Sequence, residues 1–159
     1  MHIRPIEPRD NPAVAGLVRG NLEKYGLNIP GTAYCDPMLD NLSMYYSKKP
    51  EDMCYYVLAD DGNCTVGGAG LERFSGFEAC AELQKLYLAE DYKGKGYGRM
   101  LLEYIEEKAR EMGFRRMYLE THSALIEALR LYEKAGYRRI EKPVEAVHST
   151  MDRFLIKEL

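Results

Sequence analysis

Glycine and basic residues alternate over the short stretch Lys93-Gly94-Lys95-Gly96-Tyr97-Gly98-Arg99. Glycine leaves backbone N–H groups unshielded and admits positive φ angles. A helix is predicted to begin here, and the first N–H groups of a helix are unpaired and carry partial positive charge. Together with the charges of Lys93, Lys95 and Arg99, these N–H groups predict an anion-binding turn that suits a diphosphate. The first functional hypothesis is therefore a phosphate-bearing cofactor held at residues 93–99.

Strands and helices on either side must hold this turn in place. Apolar segments with aromatic and β-branched residues predict seven strands, at 3–6, 53–59, 65–74, 78–88, 116–120, 137–140 and 153–156. Apolar residues at helical spacing predict four helices, at 12–25 with Asn11 as N-cap, at 38–46, from the turn to Gly113, and from the N-cap Ser123 to about Ala135. Three consecutive hairpin strands followed by two helix crossovers imply a mixed, largely antiparallel sheet in one α/β domain over 1–159.

The composition is that of an ordinary globular domain, with 46% hydrophobic and 30% charged residues among 159. A formal net charge of −3 argues against a general nucleic-acid surface, and no aromatic residues cluster with the lysines of the turn in an RNA-binding pattern. No apolar run approaches the length of a membrane span, and the N-terminus lacks a signal-peptide core. We therefore expect a cytoplasmic protein with neither a nucleic-acid nor a membrane partner.

The four cysteines, Cys35, Cys54, Cys64 and Cys80, form no Cys-x-x-Cys pair and no zinc-type cluster with histidine. This pattern predicts reduced thiols and no metal cofactor. No cysteine lies in a motif that argues for an acyl-enzyme, although Cys35 and Cys80 stay open as alternatives on this evidence.

Two common phosphate-binding motifs do not match the glycine-rich turn. A dinucleotide-binding G-x-G-x-x-G follows the first strand of a βαβ unit, whereas Gly94-x-Gly96-x-Gly98 has another spacing and follows three hairpin strands. A P-loop requires G-x-x-x-x-G-K-[ST], and the sequence Gly98-Arg99-Met100 does not satisfy it. Position and spacing therefore exclude both motifs.

Residues 93–98 resemble the signature [Arg/Gln]-x-x-Gly-x-[Gly/Ala] of the GCN5-related N-acetyltransferases (GNAT), with Lys93 in the place of arginine or glutamine. Downstream, Leu131-Tyr132-Glu133-Lys134-Ala135-Gly136-Tyr137 is similar to the Y-E-K-x-G-[FY] segment of that family. The two motifs stand in the family's order and separation, and the order of elements matches over nearly the whole chain. The resemblance implies a GNAT-like sheet with splayed central strands flanked by helices.

The same resemblance implies acetyl-CoA as co-substrate. In the family, the pyrophosphate binds the backbone amides of the turn, here Lys93 to Arg99, and the pantetheine pairs with the fourth strand, here around Leu86 and Leu88. The family's tyrosine that protonates the departing thiolate corresponds to Tyr132, whose alternative role is packing on the apolar face of the last helix. Many relatives carry an asparagine seven residues before this tyrosine, and Leu125 stands there in this chain.

Transfer to an amine also requires a base, because a primary amine with a pKa of about 10 is protonated at neutral pH. Glu82 is the leading candidate, since some family members carry a catalytic glutamate near the start of the fourth strand. A solvent-facing charge at a sheet edge is an equally good interpretation of Glu82. Four further residues remain candidates, namely Glu120, Glu72, His122 and His148. The backbone N–H of Leu88 is a candidate donor to the tetrahedral oxyanion.

The family builds its acceptor pocket from the loop between the first two helices and the loop before the last strand. Here these loops and their surroundings carry aromatic and acidic residues, and the substrate-binding candidates are Tyr25, Tyr34, Glu120 and His148. Such a lining suits a small amine, an amino acid or a peptide N-terminus, and the sequence does not choose among them.

The sequence thus predicts an acetyl-CoA-dependent N-acetyltransferase that transfers the acetyl group directly in a ternary complex. A non-catalytic acyl-CoA-binding sensor or partner module on the same fold is the alternative. A homodimer is a further expectation, because dimers are common in the family and the strands at 137–140 and 153–156 offer interface elements.

Overall fold

The computed structural model describes residues 1–159 and contains seven β-strands and four α-helices. The strands are β1 (His2–Pro5), β2 (Met53–Ala59), β3 (Thr65–Phe74), β4 (Cys80–Leu88), β5 (Arg116–Thr121), β6 (Arg138–Ile140) and β7 (Arg153–Glu158). The helices are α1 (Asn11–Lys24), α2 (Leu42–Tyr46), α3 (Tyr97–Glu111) and α4 (Ile126–Lys134). The predicted order of elements and the mixed α/β class are confirmed.

All seven strands belong to one sheet, in the order β1-β2-β3-β4-β5-β7-β6. Every neighbouring pair is antiparallel except β4 and β5, which run parallel. This parallel pair is short, because only Cys80 to Glu82 on β4 find partners, from Arg116 to Tyr118 on β5. Beyond Glu82 the two strands diverge, so the sheet opens into a V with Glu82 at its vertex.

A β-bulge lies in β4 just beyond that vertex. Gln84 pairs with Gly70 and Tyr87 with Gly68, so two residues of β4 stand opposite the single Ala69 of β3. Lys85 in the bulge has a φ of 49°, in the left-handed region that non-glycine residues rarely occupy.

The bulge changes which face of the sheet the later residues of β4 occupy. Regular alternation predicts that Leu86 shares a face with Glu82, whereas Leu86 packs in the same core cluster as Leu83 and Leu88. The extra residue reverses the alternation, and Tyr87 packs on the opposite face of the sheet.

Apolar side chains cover both faces of the sheet. On one face, Leu101 and Ile105 of α3 and Leu129 of α4 pack in an 18-residue cluster. On the other face, Val18 of α1 and Leu42 of α2 pack in a cluster of 11 buried residues. The helices therefore fix the sheet from both sides while leaving the open end of the V uncovered. None of the helices combines the length and the apolar character needed to cross a membrane.

Two predicted helix caps are wrong, because both side chains bind other partners. The side chain of Asn11 bonds to Ser43 on α2, and α1 begins at Asn11 itself. Ser123 bonds to Asp152 through its backbone N–H and its hydroxyl, each at 2.7 Å, and α4 begins three residues later at Ile126. Long-range contacts override the local capping preference in both places.

Candidate active site

The glycine-rich turn joins β4 to α3 as predicted. Gly94 and Gly96 have φ angles of 70° and 86°, and a Cβ added at either position would meet nothing within 4 Å. Gly96 directly precedes the first residue of α3, so the unpaired N–H groups of that helix open onto the turn. Open space beside exposed N–H groups gives the turn the form of an anion cradle.

Side chains at the turn differ in their surroundings. Lys93 and Arg99 line the cavity described below, and both are paired with carboxylates, Lys93 with Glu90 at 2.9 Å and Arg99 with Glu103 at 2.7 Å. Lys95 and Tyr97 lie outside the cavity lining and contact Tyr92 instead, Lys95 as a cation over its ring. At these two positions only the backbone remains a candidate for cofactor contact.

A cavity of about 550 Å³ extends from this turn between the diverging ends of β4 and β5. Its walls are the end of α1, the second half of β4, the glycine turn, the end of β5 and one face of α4. Leu86 and Leu88, the residues predicted to lie beside pantetheine, line it, and so does Leu125, at the position where the family resemblance predicts asparagine. Because β4 pairs with β3 but no longer with β5 here, the edge of its backbone that faces β5 is available to a bound molecule.

The sequence did not point to several residues of the cavity, Asn21, Arg130 and Lys134 among them. Arg130 and Lys134 lie one turn apart on α4, are exposed and have no ion-pair partner. Their i, i+4 spacing on either side of Tyr132 is the signal that could have identified them. Asn21 on α1 donates to the backbone carbonyl of Leu88 at 3.0 Å and so holds the end of β4.

Tyr132 lies on α4 and lines the same cavity. It is 7% exposed, and its hydroxyl makes no hydrogen bond within the chain, unlike that of the neighbouring Tyr137, which donates to Glu106 at 3.0 Å. Burial raises the pKa of Tyr132. The phenol therefore stays protonated at neutral pH and can serve as a proton donor.

Glu82 occupies the vertex of the V and is 7% exposed, which contradicts its interpretation as a solvent-facing edge charge. Burial, followed by the nearby charge of Glu120, raises the pKa of Glu82 to about 7. Gln84 donates to its carboxylate at 3.2 Å and also contacts Glu72. A carboxyl group that titrates near neutral pH suits general base catalysis.

His148 connects the two loops that flank the vertex. Its ring lies 2.9 Å from a carboxylate oxygen of Asp36 and 3.6 Å from one of Glu120. Burial lowers the pKa of His148, but the bonds to these two carboxylates outweigh burial and raise it to about 9. Lys85 in the bulge pairs with Asp36 at 2.6 Å. His148 is therefore a cation that bridges two carboxylates at neutral pH.

Glu82, Glu120 and His148 also form a group whose ligand atoms lie within 4.8 Å of one another. A metal ligand must be a neutral imidazole, however, and both ring nitrogens of His148 already face carboxylates that keep it protonated. The donor set fits an ion-pair network better than a metal centre.

The remaining sequence candidates divide between the cavity and the surface. Tyr25 and Glu120 line the cavity. Tyr34 does not line it, and its hydroxyl donates to Glu23 at 2.8 Å. His122 pairs weakly with Asp152, at 4.0 Å. Tyr25, Glu120 and Tyr132 thus line one cavity. Glu82 and His148 lie outside its lining but within 4.8 Å of Glu120, and Tyr34 lies away from it.

Comparisons with known proteins agree with this geometry. Residues 24–137 match the model of the Acetyltransferase (GNAT) family. The chain belongs to this family. The uncharacterized N-acetyltransferase YjgM of Escherichia coli is 40% identical over 141 residues, which cover 87% of this chain and 83% of YjgM. The chain is accordingly an acyltransferase, and the expected family membership is confirmed.

Solved structures show the same fold. A GNAT acetyltransferase of Staphylococcus aureus superposes with a TM-score of 0.87 at 19% identity, covering 99% of this chain and 98% of the other. The PaiA N-acetyltransferase of Thermoplasma acidophilum, solved in complex with coenzyme A, superposes with a TM-score of 0.77 at 19% identity, covering 99% and 98%.

Proposed function

We propose that the protein transfers the acetyl group of acetyl-CoA to a primary amine of a small molecule, an amino acid or a peptide, directly in a ternary complex. The observation that carries this proposal is that the anion cradle, Tyr132 and Glu120 share one cavity, with the buried carboxyl of Glu82 within 4.8 Å of the Glu120 carboxylate. Family membership supports acetyl transfer in general, and the cavity supports a binding site for two substrates side by side.

Several groups of this chain fit coenzyme A. The N–H groups of residues 93–99 are suited to the diphosphate, and Arg130 and Lys134 on α4 add unpaired positive charge beside it. The unpaired edge of β4 around Leu86 and Leu88 is suited to the amide groups of pantetheine. When bound there, acetyl-CoA supplies the activated acyl group.

Glu82 is the proposed base. A carboxyl with a pKa of about 7 is half ionised at neutral pH and can take the proton of the acceptor ammonium group, directly or through water. The pKa of Glu120 is lowered rather than raised. Burial alone would raise it, but hydrogen bonds from His148 and from two backbone N–H groups outweigh burial. Glu120 thus stays ionised and supplies charge rather than a proton acceptor.

Tyr132 is the proposed acid. Its hydroxyl is protonated, lacks a partner within the chain and lines the cavity, so it is free to donate toward the departing thiolate. The backbone N–H of Leu88 is the proposed donor to the oxyanion that forms during transfer.

The test is a turnover assay with purified protein, acetyl-CoA and a panel of primary amines. Free thiol should be released only when an acceptor is present, and mass spectrometry should find one acetyl group on that acceptor. Initial-velocity lines should intersect for direct transfer in a ternary complex. Parallel lines together with an acetylated protein would contradict direct transfer, and tight coenzyme A binding without turnover on any amine would contradict the activity itself.

A further inference from the structure

Five basic and two acidic side chains line the cavity, and further carboxylates gather at the vertex of the V. Arg130 and Lys134 lie with Lys93 and Arg99 toward the glycine turn. At the vertex, by contrast, four carboxylates gather, those of Asp36, Glu72, Glu82 and Glu120. The side chain of Glu120 is 2% exposed and Glu82 is 7% exposed, so this negative charge is largely withdrawn from water.

The two cations at the vertex, Lys85 and His148, already form ion pairs with carboxylates. Lys85, with a side chain 5% exposed, pairs with Asp36, and His148 bridges Asp36 and Glu120. Glu72 and Glu82 contact only uncharged donors, the hydroxyl of Tyr45 and the amide of Gln84. No cation of this cluster is left to pair with a carboxylate on a substrate.

The unpartnered hydroxyl of Tyr132 independently marks this cavity as a ligand site. Its side chain is more than nine-tenths buried and lines the cavity that Glu120 also lines. A hydroxyl that has no partner in the chain and opens into the cavity is available to hydrogen-bond a bound molecule.

We infer that the acceptor is a cationic amine with no carboxylate beside its amino group, as in an alkylamine, an amino acid amide or a peptide N-terminus. This inference rests on the proposed function and narrows its acceptor class. An ammonium group supplies the positive charge that Glu72 and Glu82 lack. The α-carboxylate of a free amino acid would instead enter beside buried carboxylates whose cations are taken.

The experiment compares acceptors that differ only in the carboxylate. Alanine, leucine and phenylalanine are each assayed against the corresponding carboxamide and the decarboxylated amine. We expect kcat/KM to be at least tenfold higher for the amide or the amine than for the parent amino acid. Calorimetric titration of the same compounds into protein saturated with coenzyme A should give the same order of affinities without requiring turnover.

Asp36→Asn tests the reason for the preference. This variant releases Lys85 from its carboxylate, so that this cation becomes available to a substrate carboxylate, whereas His148 remains paired with Glu120. The preference for carboxamide over amino acid should then fall at least tenfold. Asp40→Asn is the matched control, because Asp40 lies on the same segment, is exposed and pairs with Arg19 away from the cavity.

Amino acids used as well as their amides would overturn the inference while leaving the proposed transfer to amines intact. An unchanged preference in Asp36→Asn would also overturn it, because the ion pairing of Lys85 would then not explain the selectivity. Absence of turnover and binding for every member of the panel would refute the proposed function and the inference with it.

Discussion

Burial changes the proton affinity of Glu82 and Tyr132 in the same direction, with opposite consequences at neutral pH. Raising the pKa of a carboxyl to about 7 leaves an ionised fraction that can accept a proton. Raising the pKa of a phenol keeps it protonated, so that it can only donate. The same low-dielectric setting therefore produces one base and one acid from two ordinary side chains.

Glu82→Gln is predicted to lower kcat by about 10²–10⁴, the usual contribution of a general base. In the unmodified protein, kcat should fall about tenfold per pH unit below about pH 7, because protonation of Glu82 removes the base. The variant should lack this acid limb. Both statements are checked by measuring kcat from about pH 5 to about pH 9 in steps of roughly half a pH unit.

Glu158→Gln is the control for that experiment, since Glu158 is an exposed strand carboxylate that pairs with Arg116. It should retain both the rate and the acid limb. If the acid limb survived in Glu82→Gln, the titrating base would be another group, and Glu120 or His148 would have to be tested in its place.

Tyr132→Phe and Tyr137→Phe remove hydroxyls from two neighbouring tyrosines whose rings lie 5.8 Å apart. Tyr132→Phe should lower kcat by about 10²-fold or more while leaving thermal stability unchanged, because its hydroxyl has no partner in the chain. Tyr137→Phe should retain kcat but lower the free energy of unfolding by about 1–3 kcal/mol, since Glu106 loses a buried donor. Steady-state kinetics and thermal denaturation separate the two effects, and normal turnover by Tyr132→Phe would refute its role as acid.

At the scale of elements, local sequence determines the glycine turn, and distant contacts determine the bulge in β4. The turn was predictable because glycine spacing and the following helix are both local signals. The bulge was not predictable, because it depends on contacts with Tyr55 on a neighbouring strand. The ring of Tyr55 fills the space that side chains at Gly68 and Gly70 would need, and its hydroxyl donates to the Lys85 carbonyl at 2.9 Å. Glycine within a strand is compatible with a bulge, but it does not show which strand contains the extra residue.

Gly96→Ala tests the turn as an element. Alanine at a φ of 86° should lower the free energy of unfolding by about 1–2 kcal/mol. The new methyl group would also occupy the open space of the cradle, so the Kd for coenzyme A should rise about tenfold or more. Chemical denaturation and calorimetric titration measure these two effects.

Gly20→Ala makes the same substitution within α1, where an added Cβ meets nothing within 4 Å. It should raise the free energy of unfolding by about 0.4–1 kcal/mol and leave coenzyme A binding unchanged. Equal effects of the two substitutions on binding would show that the conformation of the turn does not determine affinity.

At the scale of the whole molecule, the fold brings together residues that are far apart in sequence. His148 and Asp36 bond across 112 residues, and both loops meet at the vertex between β4 and β5. A family resemblance located the loops around the cavity, so Tyr25, Glu120 and His148 could be predicted as residues of the candidate site. The sequence could not place Tyr34, whose partner Glu23 lies on α1, nor predict that Lys85 would pair with Asp36. Such pairings depend on packing, which periodicity does not reveal.

The molecule is acidic overall, with a net charge of −3, yet Arg130 and Lys134 stand unpaired beside the glycine turn. Replacing both with alanine should raise the Kd for coenzyme A about tenfold at low ionic strength, because two cations near the diphosphate are lost. The effect should shrink as salt is added, since exposed charges are screened over about 10 Å at 0.1 M. Calorimetric titration across a salt series checks this dependence.

The double variant Lys48→Ala and Lys49→Ala is the matched control for that experiment. It changes the net charge by the same amount, but in the turn before β2 and away from the cavity. If overall charge attracted the ligand, both double variants would weaken binding equally. If the charges on α4 contact it locally, only the Arg130 and Lys134 variant should weaken binding, and its defect should persist in part at high salt because contacts at short range are screened least.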